Sequence, residues 1–448
     1  MLPQIVETPP GPKSLDLARR LSASECAGIT YMAPDGSFPV FWESAYGSNV
    51  WDVDGNRYID FTAAFGVAAC GHRHPALVEA ACHQIHSLLH GMGDVHPSRA
   101  KVDLLDALTA VVPRPLGHAI LGQNGSDAVE AALKAAYLHT KRSGIIAFVG
   151  GYHGLSGFAL GCTSAGKFRE PFSPYLTDNV TFLSFPRRTC ARDNHDEMSL
   201  NRALSAVRQR LSDKYLPPVG AILVEPIQAR GGIVVPPDGF LRGLRELCDG
   251  VRTVLICDEI FTGFGRTGEW FACQHEGVIP DLMAVGKALT GGFPLSATLM
   301  TPEVAASWPK SPGEAIHTST FLGHPVACAV GASSIKLMQT LAIPLRAARG
   351  GDRLMQRLRR AFSGSPAVNE VRGRGMLVGV TMTNGRYGEP PFQVVNRTVT
   401  AAMRRGLLIL PCGANGDTVS ITPPITTSEA QLDHGVEILA DAIAEAVT

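Results

Sequence analysis

No charge of either sign dominates this sequence: 40 lysines and arginines meet 40 aspartates and glutamates, and only 18% of its 448 residues are charged. So sparse and balanced a set leaves no footprint for nucleic acid or an anionic membrane, and small-molecule chemistry becomes the expectation. No stretch approaches the ~18 uninterrupted apolar residues of a membrane span, and the N-terminus has no basic lead followed by an apolar core and a cleavage site. A soluble, cytoplasmic protein is expected. The ten cysteines form no C-x-x-C pair and no framework spacing, so most are expected to be buried free thiols. His72 and His74 in "GHRHP" lack an acidic or cysteine partner at ligand spacing, and no metal is expected.

What the chain has in quantity is glycine (47) and proline (31), dispersed and never in a low-complexity run, which indicates many turns between elements. Its length suits two or three lobes at ~100–200 residues each. Residues 1–65 read as an N-terminal arm and part of a small domain. The arm has helical periodicity at "LDLARRLSASE", and "NVWDVDGNRYIDF" reads as a hairpin turning at Asp54-Gly55, both expected at positive φ. Residues 66–325 alternate helical patterns with short apolar runs: "GHAILG", "GIIAFVGG", "VTFLSF", "GAILVEPI", "TVLICDEI" and "DLMAVGKAL". Short buried strands spaced by helices predict an α/β layer fold with a parallel sheet. Residues 326–448 read as a C-terminal small domain: a long helical stretch (326–362), a glycine-rich strand pair around "VRGRGMLVGVTM", and a last helix from about Ser428.

Two of the apolar runs end on chemistry. "TVLICDEI" finishes on Asp258 and Glu259, at the strand edge where open α/β sheets place ligands. "DLMAVGKALTGGFPLSA" carries Lys287, with glycines beyond it that leave room around the amine. Pyridoxal phosphate needs a lysine to form an imine with its aldehyde and a carboxylate to keep its ring nitrogen protonated. It also needs an anion site. "LGQNGSDAVEAALKAAYLHTKR" offers a Gly-Ser turn feeding a helix whose free N–H groups favour phosphate, and the Asp127–Glu130 spacing fits a capping box. Tyr152 in "GGYHG" offers a flat aromatic face. Each feature alone has a bland reading: an ordinary helix cap, a solvated lysine, a core tyrosine. Their order and spacing together point to the cofactor.

The chain resembles the class III (omega-type) aminotransferases of the pyridoxal-phosphate fold type I superfamily from about residue 40 to 430. The motifs are "DVDGNRYIDF", "GHRHP", "NGSDAVEAALKAA", "YHG", "VEPIQ", "DEIFTGFGRTG", "PDLMAVGKALTGGFP", "STFLGHPVACA" and "VRGRGM". The resemblance implies a large domain with a mainly parallel seven-stranded sheet between helices, and a small α+β domain drawn from both termini. It makes Lys287 the Schiff-base lysine of an internal aldimine and Asp258 the partner of the pyridine nitrogen. Gly125 and Ser126 would hold the phosphate, Tyr152 and Ile260 the two ring faces, and Glu225 would brace the aspartate region. Thr320 would reach the phosphate from a second subunit, which implies a homodimer with shared active sites. The implied activity moves an amino group, through pyridoxamine phosphate, from an amino acid or amine to a keto acid, aldehyde or ketone. A racemase, epimerase or aminomutase is the alternative on the same scaffold.

Several positions depart from the family. Leu155 stands where many ω-amino-acid and ornithine-type members have an arginine. Arg230 replaces their gating glutamate, Ser420 the arginine that pairs with it, and Phe261 a glutamine near the cofactor. Losing both gate partners is coherent, because either alone would be an uncompensated charge. Arg230 is then a loop arginine, exposed or paired with an acid, or a relocated clamp gripping a substrate carboxylate with its planar fork. Trp42 is a second candidate for substrate contact. "GFGRTG" (263–268) matches a dinucleotide fingerprint, but "EWFACQHEGVIPD" reaches a proline too soon for the helix that such a site requires.

Overall fold

Strands β1 (Trp42–Tyr46), β2 (Asn49–Asp52) and β3 (Arg57–Asp60) open the fold, and the seven strands of the central layer follow. These are β4 (His118–Gly122), β5 (Gly144–Phe148), β6 (Val180–Leu183), β7 (Val219–Val224), β8 (Val254–Asp258), β9 (Leu282–Val285) and β10 (Ser296–Met300). Then come β11 (Val368–Arg374), β12 (Leu377–Met382), β13 (Leu407–Leu408), β14 (Leu410–Cys412) and β15 (Thr418–Ile421). The computed structural model describes residues 1–30, 39–188, 195–385 and 388–447.

The central sheet has seven strands in the order β4-β10-β9-β8-β7-β5-β6. Six of them are the apolar runs legible in the sequence. The seventh, β10, runs antiparallel to both its neighbours, β4 and β9. The connection from β9 spans only residues 286–295, too short for the crossover a parallel strand needs, so the chain turns back. That connection carries Lys287.

Strands β7 to β10 are buried throughout. Alternate side chains serve opposite faces: Val254 and Ile256 of β8 pack with Ala128, Val129 and Ala132 of the helix Gly125–Thr140. Leu255 and Cys257 enter the core that holds Phe240, Leu241 and Leu244 of the helix Phe240–Val251. With both faces covered, the strands read as continuous apolar runs without alternation.

The two ends of the chain meet. Strand β13 pairs in parallel with β3, extending the N-terminal hairpin into a four-stranded sheet, while β11, β12, β15 and β14 form an antiparallel one. The helical stretch expected at 326–362 is two helices, Pro325–Thr340 and Ile343–Ala361, bent by 62° at a break where Ala342 takes φ +48°. The first packs on the helices Pro75–Ser87 and Arg99–Thr109. No single helix among the described residues is long and apolar enough to cross a membrane.

The hairpin turn differs from the sequence expectation, because only Gly55 takes a positive φ (+92°). Asp54 is used elsewhere: its carboxylate accepts from the Lys13 and Ser14 amides at 2.8 and 3.0 Å, capping the arm helix Pro12–Ser22. The C-terminal helix Glu429–Ala446 starts at Ser428 as expected and lies so close to β3 that a Cβ on Gly435 would sit 2.2 Å from Cζ of buried Phe61. Gly435→Ala will therefore destabilise the fold by about 1–3 kcal/mol despite alanine's better helix propensity, measured as a lower denaturation midpoint. An unchanged or raised midpoint would show that Phe61 moves aside freely.

Candidate active site

Asp258 closes β8, and Lys287 follows β9, its hydrogen-bonded neighbour, by two residues, so the sheet itself delivers both groups to one edge. Asp258 is only 4% exposed; its Oδ2 lies 2.7 Å from Nδ1 of buried His153, and its Oδ1 accepts from the Ile260 amide at 3.1 Å. The carboxylate is thus fixed in orientation by two donors.

Lys287 enters at φ +41°, a backbone conformation that L-residues rarely hold without surrounding support. Its Nζ lies 3.8 Å from the ring centroid of Phe261. Desolvation by the cavity walls outweighs the pull of Asp258 and Glu225 and pushes the ammonium down to about 8. Among the described residues the amine makes no hydrogen bond or ion pair.

Glu259, the second acid of "DEI", points into structure: it is fully buried and accepts from the Thr262 hydroxyl and from the amides of Ala272 and Cys273 at 3.0 and 2.7 Å. Glu225 bridges two loops, with Oε1 accepting from the Tyr152 amide at 2.9 Å and Oε2 from the Ala229 amide at 3.0 Å. Burial drives its carboxyl well above the usual range, opposed by His153 and by those two amides.

The helix Gly125–Thr140 begins three residues after β4 ends, and its start differs in detail from the sequence reading. The capping box pairs Asn124 with Asp127: Asn124 Oδ1 accepts from the Asp127 amide at 3.1 Å, and Asp127 Oδ2 from the Asn124 amide at 3.3 Å. Glu130 is engaged elsewhere, accepting from the Ala159 amide at 2.9 Å. Gly125 and Ser126, in the first turn, keep N–H groups with no intrahelical acceptor. The space before them is tight. A Cβ on Gly125 would lie 3.0 Å from Ile260 Cδ1, and one on Gly154 (φ +124°) would lie 2.1 Å from Ser126 Oγ.

One cavity of about 610 Å³ brings together Lys287, Asp258, Gly125, Ser126, Tyr152, Glu225, Ile260 and Arg230, with Leu155 and Phe261 in its wall. Thr320 and Trp42 do not line it. Thr320 is exposed, next to Ser319, whose hydroxyl accepts from Gln123 Nε2 at 2.8 Å. Trp42 stands edge-on to His72 at 5.9 Å, and Ser420 is buried in β15. His72 Nε2 itself bonds Asp60 Oδ2 at 2.7 Å, and His74 caps the helix Pro75–Ser87.

The residue that sequence reasoning passed over is His153. It stood inside the quoted "YHG", but only its contact with an aspartate 105 positions away gives it a role. "GFGRTG" starts no helix; buried Arg266 donates to the Pro423 carbonyl at 2.5 Å, and a Cβ on Gly265 would meet Ile343 Cγ2 at 2.7 Å. Those glycines permit close packing of later segments of the chain.

The profile of the family Aminotransferase class-III matches residues 30–443. An acetylornithine aminotransferase of Methanopyrus kandleri is 34% identical, over 94% of this chain and 99% of its own. An alanine/serine racemase of Pyrococcus horikoshii is 31% identical, over 100% of this chain and 94% of its own. Among solved structures, a thermostable (S)-enantioselective omega-transaminase from Thermomicrobium roseum aligns with a TM-score of 0.88 at 28% identity, covering 97% of this chain and 99% of the other. A match of that extent, on a sheet that delivers a lysine and an aspartate to one edge, places the chain in the class III aminotransferase family, as a pyridoxal-phosphate-dependent transaminase of fold type I.

Proposed function

We propose that the 610 Å³ cavity is the cofactor and substrate site, with Lys287 and Asp258 as its catalytic residues. The observation that carries this reading is the convergence of an unpaired lysine amine, a buried carboxylate and a helix start on one space. The residues fit pyridoxal phosphate: the helix start at Gly125 and Ser126, with N–H groups suited to a phosphate, lines the same cavity as Lys287 and Asp258. When bound, the cofactor supplies an aldehyde that links to amines and a ring that stabilises negative charge on the substrate carbon.

Lys287 would give the nitrogen for that link, and its Nζ would serve as the base and acid that carries the proton. Asp258, aligned by His153, would keep the ring nitrogen protonated. Gly125 and Ser126 would hold the phosphate, Tyr152 and Ile260 would cover the ring, and Glu225 braces the Tyr152 and Ala229 loops. Thr320 completes the site of a second subunit in a homodimer; the exposed apolar residues Leu89, Met92, Val95 and Phe321, near it in sequence or packed close by, support that role. The three-part division at residues 65/66 and 325/326 is kept, with the helix Pro325–Thr340 seated on the large domain. The nine described cysteines are all free, which supports a reducing cytoplasm; the tenth, Cys190, lies outside the described residues.

Incubating the holoenzyme with an amino donor alone tests the reading: the cofactor should convert to its pyridoxamine form with release of a keto product. Exchange and inversion of the α-proton without keto product would favour the racemase reading, which the Pyrococcus relative keeps in view.

The lowered Lys287 ammonium has its own consequence. Because burial depresses its pKa, the neutral, nucleophilic amine is present from pH ~8 upward, where an ordinary lysine would remain protonated until pH ~10. Competitive acetylation of the apoprotein, read at the Lys287 peptide by mass spectrometry, will titrate with a midpoint near 8. A midpoint above 10 would show the amine to be solvated.

A further inference from the structure

Arg230 is the one cation in the wall of this cavity without an obvious job. Its guanidinium lies over the Tyr152 ring at 4.6 Å and near the Phe168 ring at 5.5 Å. Its place is built from both sides. Glu225 holds the amide of Tyr152 and that of Ala229, next to Arg230, while the Arg230 carbonyl accepts from the Gly413 amide at 2.9 Å. The turn that follows needs glycine: Gly232 sits at φ +114°, and its Cβ would lie 3.2 Å from Gly413 Cα.

Among the described residues the Arg230 guanidinium has no hydrogen bond and no ion pair. The two acids sharing its cavity are engaged, Glu225 with two amides and Asp258 with His153 and the Ile260 amide. Leu155 and Phe261, which also line the wall, offer no charge. An oriented fork with five donors, stacked on an aromatic face and lacking an anion, is built to receive one. Its charge also acts on Lys287, adding to the fall in that ammonium's pKa, so the two share one electrostatic space.

Resting on the assignment of this cavity to amino transfer, we infer that Arg230 binds the carboxylate of both the donor and the acceptor. The substrates are thus an amino acid and a keto acid in each direction. Among the described residues no acid pairs with Arg230 when a substrate lacks that carboxylate, and Ser420 supplies no second arginine. One fixed cation therefore serves both half-reactions, without alternation between two recognition modes. Arg230 is exposed, so a simple monoamine leaves the fork hydrated and gains nothing from it, and the site favours carboxylates for that reason.

Two measurements on the holoenzyme test this. The first is calorimetric binding of unreactive carboxylates, acetate to valerate, against the alcohols of equal length. For the tightest carboxylate, Arg230→Gln should weaken binding by about 10–100-fold, with Arg230→Lys falling between, and the alcohols should be unaffected. The second is the ratio of kcat/KM for 4-aminobutyrate or β-alanine to that for butylamine or propylamine. In Arg230→Gln this ratio should fall on the order of 100-fold, mostly through KM. Equal binding of carboxylates by wild type and Arg230→Gln, or an unmoved ratio, overturns the inference. If carboxylates bind through Arg230 but no donor converts the cofactor, amino transfer is the part that fails.

Discussion

Lys287→Ala will purify without the visible absorption of a lysine-linked cofactor and will turn over more slowly than wild type by roughly 10⁴-fold or more. The size follows from one side chain filling two offices. In the proposed assignment its nitrogen would make the covalent link to the cofactor, and the same amine would move the proton. No other described amine lines the cavity, so nothing can substitute. The fold should survive, because the side chain removed makes no hydrogen bond or ion pair with described residues. Circular dichroism and thermal melting of the apo forms will check that. Partial rescue by added small amines would confirm that proton transfer is what was lost, whereas near-normal turnover would refute the assignment.

Asp258→Asn is the second large effect, expected at about 10²–10³-fold in the half-reaction, with cofactor still bound. A buried carboxylate beside a ring nitrogen favours its protonated form by about 10²–10³-fold, and each tenfold corresponds to ~1.4 kcal/mol. The amide keeps the shape and one acceptor but forfeits the charge. It also faces His153 Nδ1 at 2.7 Å, where a carboxylate can only accept and an amide can present the wrong group. Stopped-flow absorbance after mixing with donor measures the step directly. An unaltered rate would remove the charge-stabilising role from Asp258. A loss explained wholly by weaker cofactor binding, seen as recovery at saturating pyridoxal phosphate, would make the residue a binding group instead.

Much of the site could be read from the chain because its parts are local. Asp258 and Lys287 each end an apolar run, and a buried strand must release its next polar residue at an edge. The Gly125-Ser126 turn announces a helix start wherever it folds. The structure differs in choices among neighbours: Asn124 and Asp127 form the cap for which the spacing suggests Asp127 and Glu130, and Gly55 alone takes the turn geometry expected of Asp54 as well. In both cases a side chain was claimed by a partner the pattern does not reveal. Asp54 went to the arm helix and Glu130 to the Ala159 amide.

Composition, periodicity and motif order suffice for an α/β fold with its family and point to candidate reacting groups, since hydrophobic pattern and turn chemistry act over a few residues. Contacts between distant segments require the folded chain. Six strands were visible as runs, but the antiparallel insertion of β10 between β4 and β9 follows from a connection too short to cross over. His153 acquires its meaning from Asp258, and Glu259 loses the meaning its strand-end position suggested, because burial and partner, not residue type, decide what a carboxylate does. Arg230 is the sharpest instance. Its letter allowed a solvated loop residue or a clamp; the side chain is exposed, and its seat over Tyr152 with no described acid paired to it is set by loops that meet only in three dimensions.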